Sequence, residues 1–172
     1  KIEKRMSLDL HYYKTPSSSE SKVLVRLESE ILAERQAIRE SLINNSNFQL
    51  ISEVYECIRS IRDPERPYTL EQLDVFSMKD IVIEEKFGKK SLTVYWKPPP
   101  PICAYTVHIG LAMRVKLLRE IKDIKKMKVT ILVREGNPKQ KKALDKQLND
   151  KERIASAMEN VEVMDFLESL IS

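Results

Sequence analysis

The chain has 172 residues, 42% hydrophobic and 33% charged, enough for one ordinary core, and that length favours a single domain with appendages. A net charge of +4, from 30 basic against 26 acidic residues, is too mild to argue for nucleic acid, and no apolar run reaches the ~18 residues of a membrane-spanning helix. Two cysteines, Cys57 and Cys103, exclude a disulfide framework and indicate a reducing compartment, cytosol or nucleus.

The chain begins at Lys1 rather than Met, which leaves room for an upstream segment, and its first residues lack the apolar core of a secretory signal. Residues 1–21, with Thr15-Pro16-Ser17-Ser18-Ser19, read as a poorly ordered arm with little to bury. From Lys22, apolar Leu24, Leu27, Ile31, Ile38 and Leu42 fall on one helical stripe that ends at Asn44-Asn45-Ser46-Asn47, giving an N-terminal helix over 22–47. Phe48, Ile51, Val54, Tyr55 and Ile58 repeat the pattern in a second helix, stopped near Asp63-Pro64 because the residue before proline leaves helical geometry.

Thr69-Leu70-Glu71-Gln72-Leu73 reads as a short capped turn. Ile81-Val82-Ile83 and Leu92-Thr93-Val94-Tyr95-Trp96, separated by Phe87-Gly88-Lys89-Lys90, read as a hairpin. Pro98-Pro99-Pro100-Pro101 cannot be helix interior, so a third helix begins at about Cys103, with Val107, Leu111, Val115 and Leu118 on one side and Arg114, Lys116 and Arg119 elsewhere. Lys128-Val129-Thr130-Ile131-Leu132-Val133 is a further strand, closed by Glu135-Gly136-Asn137-Pro138. From Lys139 to Ile171 the chain reads as helical, broken at Asn160. These elements predict a two-layer α/β (α+β) fold, a small mixed sheet packed against helices, over 48–172, with an added N-terminal helical region.

The placement of Cys103 is the chemically informative feature. Unpaired N–H groups and the positive end of the dipole at a helix start favour thiolate over thiol. Cys57 falls on the apolar stripe of the second helix and reads as core. Asp63 reads either as a residue orienting the cysteine loop or as an ordinary helix stop. His108 is too far round the helix to pair simply with Cys103, and partial burial is expected of it. Trp96 with Tyr95 reads as a strand packing into the core, with an interface anchor beside the prolines as the other reading. The run Lys139, Lys141, Lys142, Lys146 and Lys151 lacks base-stacking aromatics and reads as a solvated face. Two cysteines with His11 and His108 cannot be spaced into a zinc finger or a four-thiolate cluster site, so any metal would be shared with a partner or second copy.

Three segments resemble one family. The stretch from Val54 through Glu56-Cys57-Ile58-Arg59-Ser60-Ile61-Arg62-Asp63-Pro64-Glu65-Arg66-Pro67 to Leu73 is similar to the opening signature of the cytosolic iron–sulfur assembly targeting factors. Pro101-Ile102-Cys103-Ala104-Tyr105-Thr106-Val107-His108-Ile109-Gly110-Leu111 resembles its cysteine segment, and Asp145-Lys146-Gln147-Leu148-Asn149-Asp150-Lys151-Glu152-Arg153 through Asn160 its C-terminal signature. The resemblance implies an adaptor rather than an enzyme, one that joins a WD-repeat propeller protein and a helical-repeat protein and delivers [4Fe–4S] clusters to iron–sulfur apoprotein clients in the cytoplasm and nucleus. It implies no direct nucleic-acid or membrane contact, no stably bound cofactor, and a transient [4Fe–4S] cluster shared with a partner or client; homodimerisation stays open. It assigns Cys103 as the functional thiol and transient cluster contact, and Asp63, Pro101, Thr106, Gly110, Lys151, Glu152 and Arg153 as partner-binding or site-supporting. It assigns no enzymatic catalytic residue and no resident metal. The chain departs from the family pattern at Ile102, Ala104, Val107 and Pro138, where His, Ser, Thr and His are usual, and so lacks the nearby nitrogen ligands. Two competing readings stand beside it: a thiol enzyme with Cys103 as nucleophile, and a cluster-independent scaffold.

Overall fold

The computed structural model describes residues 18–98 and 104–172, with side chains for all of these except 18–28, 30 and 104. The chain divides into two units, the first ending at Ala37 and the second spanning Ile38–Ser172. The described part of helix α1, Ser18–Leu42, already includes residues ahead of the expected Lys22.

The second unit continues with α2 (Phe48–Arg59), β1 (Ile81–Lys86), β2 (Lys89–Trp96), α3 (Ala104–Glu120), β3 (Lys128–Val133), α4 (Pro138–Asn149), α5 (Lys151–Glu159) and α6 (Val161–Ile171). Helix α2 buries Ile51, Val54, Tyr55 and Ile58, with Cys57 on the same stripe as expected. It ends four residues short of Asp63, because Arg62 turns aside to bridge Thr69 and the Asp63 N–H donates to the Tyr68 carbonyl. The turn at Thr69 is capped reciprocally: its N–H donates to Gln72 Oε1 at 2.9 Å and the Gln72 N–H to Thr69 Oγ1 at 3.3 Å.

The sheet has strand order β1-β2-β3. β1 and β2 form the expected antiparallel hairpin, Ile81 opposite Val94 and Lys86 opposite Lys89. Its turn is Phe87-Gly88, both at positive φ, the two-residue turn whose twist matches that of paired strands. β3 runs parallel to β2, Trp96 opposite Val133, so β2-α3-β3 is a crossover unit carried by its helix. Leu92, Val94 and Trp96 of β2 and Val129, Ile131 and Val133 of β3 are all buried.

Helix α3 corrects one expectation. Arg114 and Lys116, placed by periodicity off the apolar stripe, are each only 7% exposed. The helix is enclosed by α2, α4, α6 and β3, so most of its circumference is interior. The C-terminal region also breaks twice rather than once. Asp150 caps α5, its side chain accepting from the Glu152 and Arg153 N–H groups, and Asn160 caps α6 by accepting from Val163.

Gly110 lies where α3 meets α4. A Cβ built there would sit 2.5 Å from Leu148 Cδ2 and 3.2 Å from its Cγ, and Leu148 is fully buried with nowhere to retreat. Gly110→Ala gains up to ~1 kcal/mol of helix propensity, but overpacking costs ~1–3 kcal/mol. A net loss of about 1 kcal/mol, read as a lower urea midpoint at unchanged slope, is the expected result.

Candidate functional site

The parallel strands β2 and β3 end side by side, and chain segments leave this end of both. From β2 the chain passes through Lys97 and Pro98 and rejoins the described structure at Ala104; Cys103 directly precedes Ala104 in sequence. Pro101 and Cys103 themselves lie outside the described residues. Loops at the carboxyl ends of parallel strands are where such sheets carry their sites.

The described residues here are held firmly. The Lys97 N–H donates to the Val75 carbonyl at 2.8 Å, and the Arg134 N–H to the Trp96 carbonyl at 2.7 Å. Arg134 Nη1 reaches buried Asp80 Oδ1 at 2.6 Å, while Asp80 Oδ2 accepts from the Ser77 N–H and hydroxyl. Lys97 pairs with Glu135 at 3.0 Å, and that hydrogen bond holds the Glu135 carboxyl below its usual range. Trp96 is fully buried, the core reading and not the exposed anchor; its Nε1–H meets no acceptor among the described residues.

The remaining predicted residues are spread over three places. Thr106 is buried in the first turns of α3, and Gly110 in the same helix serves the contact with Leu148. His108 is half-buried as expected, edge-on to Phe166 of α6 with ring centroids 5.2 Å apart, and Tyr105 lies 5.8 Å from the same ring. Asp63 is buried, and its Oδ1 accepts from the Glu65 N–H at 2.8 Å, so it builds its own turn. Lys151, Glu152 and Arg153 are exposed at the start of α5, where Arg153 lies 4.0 Å from Asp150.

Three residues named in the sequence reading take a role it did not give them. Asn149 faces β3 as a strand would: its amide nitrogen donates to the Ile131 carbonyl at 2.7 Å and its Oδ1 accepts from the Ile131 N–H at 2.9 Å. Asp145 Oδ1 accepts from the Val133 N–H at 2.7 Å. Arg114 completes the clasp, donating to the carbonyls of Val129 at 3.1 Å and Leu148 at 2.9 Å and to Asn149 Oδ1 at 3.0 Å. The four-residue spacing of Asp145 and Asn149, beside apolar Leu144 and Leu148, was the available signal, because it puts both polar groups on one helical face.

The buried thiol is chemically quiet. Burial, and then neighbouring Glu120, push Cys57 up to about 12, with Lys116 opposing only in part. Lys116 Nζ is itself engaged, donating to Ser60 Oγ at 2.9 Å and the Ile171 carbonyl at 3.2 Å. In the native protein at neutral pH, iodoacetamide is therefore expected to label Cys103 and spare Cys57, which reacts only on unfolding; mass spectrometry showing two labels before unfolding would overturn this. A thiol raised in the folded state keeps its proton after the unfolded chain has lost its own. The resulting stabilisation is complete below pH 9.0, the ordinary value, and disappears as pH rises towards about 12. Cys57→Ala should flatten that alkaline decline in Tm.

No protein-family model matches the chain. Individual relatives do. A MIP18 family protein of Caenorhabditis elegans is 43% identical over 116 residues, 65% of this chain and 69% of its own length. Cytosolic iron-sulfur assembly component 2B of Mus musculus is 35% identical over 120 residues, 70% of this chain and 71% of its own length. The MIP18 family protein galla-1 of Drosophila melanogaster is 32% identical over 157 residues, 86% of this chain and 71% of its own length.

Proposed function

We infer, because this chain belongs to the MIP18 family, that it works as a component of cytosolic iron–sulfur protein assembly. The observation that carries this is the relationship to the mouse protein, whose name states that role, over more than two thirds of each chain. The mouse relative's name describes a cytosolic assembly component rather than a catalyst, which supports an adaptor working in the cytosol; in this reading nuclear clients are served by the same complex. In this reading the chain joins a WD-repeat propeller protein and a helical-repeat protein, and presents iron–sulfur apoproteins to them. The [4Fe–4S] cluster is cargo. Cys103 is its thiol contact, because Cys57 is buried and held protonated. One thiolate cannot hold a four-iron cluster, so the other ligands come from a partner, a second copy or the client.

Affinity purification of the tagged chain from its own cytosol, with co-purifying proteins identified and iron and sulfide assayed, tests the reading. Recovery of a WD-repeat protein, a helical-repeat protein and iron–sulfur apoproteins is the expected result. Recovery of none of them with ample bait would overturn it.

A further inference from the structure

A groove of about 750 Å³ opens between β3, α3 and the corner where α4 meets α5. Five cations line it: Lys128, Lys142, Lys146 and Lys151, all exposed, and Arg114, which is buried. Against them stands one carboxylate, Asp145, already committed to the Val133 N–H. Among the described residues none of the five is ion-paired, whereas Arg59, Lys97, Arg119 and Arg134 all are. Arg114 is the telling member. Among the described residues all its acceptors are neutral, and its Nε–H has none, although the residue is only 7% exposed. A buried cation without a counter-charge is expensive to keep. The wall beside these charges is apolar at Leu118, Met127 and Ile154.

We propose that this groove docks an acidic segment of a partner protein, in which aspartate or glutamate carboxylates alternate with apolar side chains. The carboxylates sit on the lysine rim and supply the missing counter-charge towards Arg114, and an apolar side chain lies against Met127 and Ile154. The outward N–H groups of Ile131 and Val133 are already taken, so recognition runs through side chains rather than through an added strand. The groove lining holds no aromatic ring for base stacking, which disfavours single-stranded nucleic acid, and its apolar wall has no use for free phosphate. The chain's own residues 1–17 carry Lys1, Lys4, Arg5 and Lys14 against Glu3 and Asp9, the wrong sign for this groove.

The test is fluorescence anisotropy of the full chain with a short fluorescein-labelled peptide of alternating glutamate and leucine. Binding that weakens with salt, and that falls by about tenfold or more in the Lys142→Glu/Lys146→Glu variant but not in Lys89→Glu/Lys90→Glu on the hairpin, is the expected result. All four lysines are exposed, so neither change threatens the core. Absence of binding at low salt, equal loss in both variants, or tighter groove-dependent binding of single-stranded DNA would each overturn the proposal. None of these outcomes bears on the iron–sulfur reading, which does not depend on the groove.

Discussion

Replacing Asn149 with alanine is expected to destabilise the fold by about 3 kcal/mol, a large effect for a residue at a helix end. The loss comes from what the side chain leaves behind. Ile131 loses a partner for both its N–H and its carbonyl, and Arg114 loses one of its three acceptors. Ile131 is fully buried, so an unmet backbone group there costs about 1–3 kcal/mol. Asn149→Asp separates the terms. It keeps the acceptor for the Ile131 N–H and puts a carboxylate beside the guanidinium, but it can no longer donate to the Ile131 carbonyl. An intermediate loss is expected for Asp and the full loss for Ala. Urea unfolding gives the order, and amide exchange at Ile131 should quicken in parallel. A loss within ~0.5 kcal/mol for Asn149→Ala would show that the clasp is dispensable.

Cys103→Ser should have the opposite profile, leaving Tm unchanged while cluster loading of client apoproteins collapses. Serine is close in size to cysteine but does not supply a thiolate, which is the form that ligates metal. Removing even an outer partner of a metal ligand costs about 10–100-fold in affinity or activity, so removing the thiol itself should cost at least about tenfold in cluster delivery. Loading is measured as client iron and sulfide in cells whose only copy is the variant. The control is Cys57→Ala, expected to lower stability through the cavity it opens in the core while leaving delivery per folded molecule intact. Full loading in Cys103→Ser would favour a scaffold in which the thiol has no part.

Much of the fold was readable because its elements carry strong local signals. The α2 stripe, the hairpin around Gly88 and the strand at 128–133 all stand where periodicity and turn chemistry put them. The prolines set the third helix at about Cys103, and the described helix opens at Ala104. What the sequence hid were polar groups whose partners are distant in the chain. Arg114 finds its acceptors at Val129 and Leu148, and Lys116 at Ser60 and Ile171, so both charges are interior although local pattern marks them as surface. Residues 149–153 of the C-terminal signature show the same limit. The first two of them work within the fold, Asn149 on β3 and Asp150 as a cap, and only Lys151, Glu152 and Arg153 face outward.

The clasp on β3 also bears on synthesis. The β1–β2 hairpin is local and closes within about 1–10 μs of emerging from the ribosome. β3 follows only after the whole of α3, and Asn149 follows later still. Since translation adds about 5–20 residues per second, β2 waits for seconds with one flank bare, and β3 in turn waits for α4. During that interval the nascent chain presents unpaired strand to its neighbours on the polysome, so the demand for chaperones should peak there and end once the α4 segment has cleared the exit tunnel.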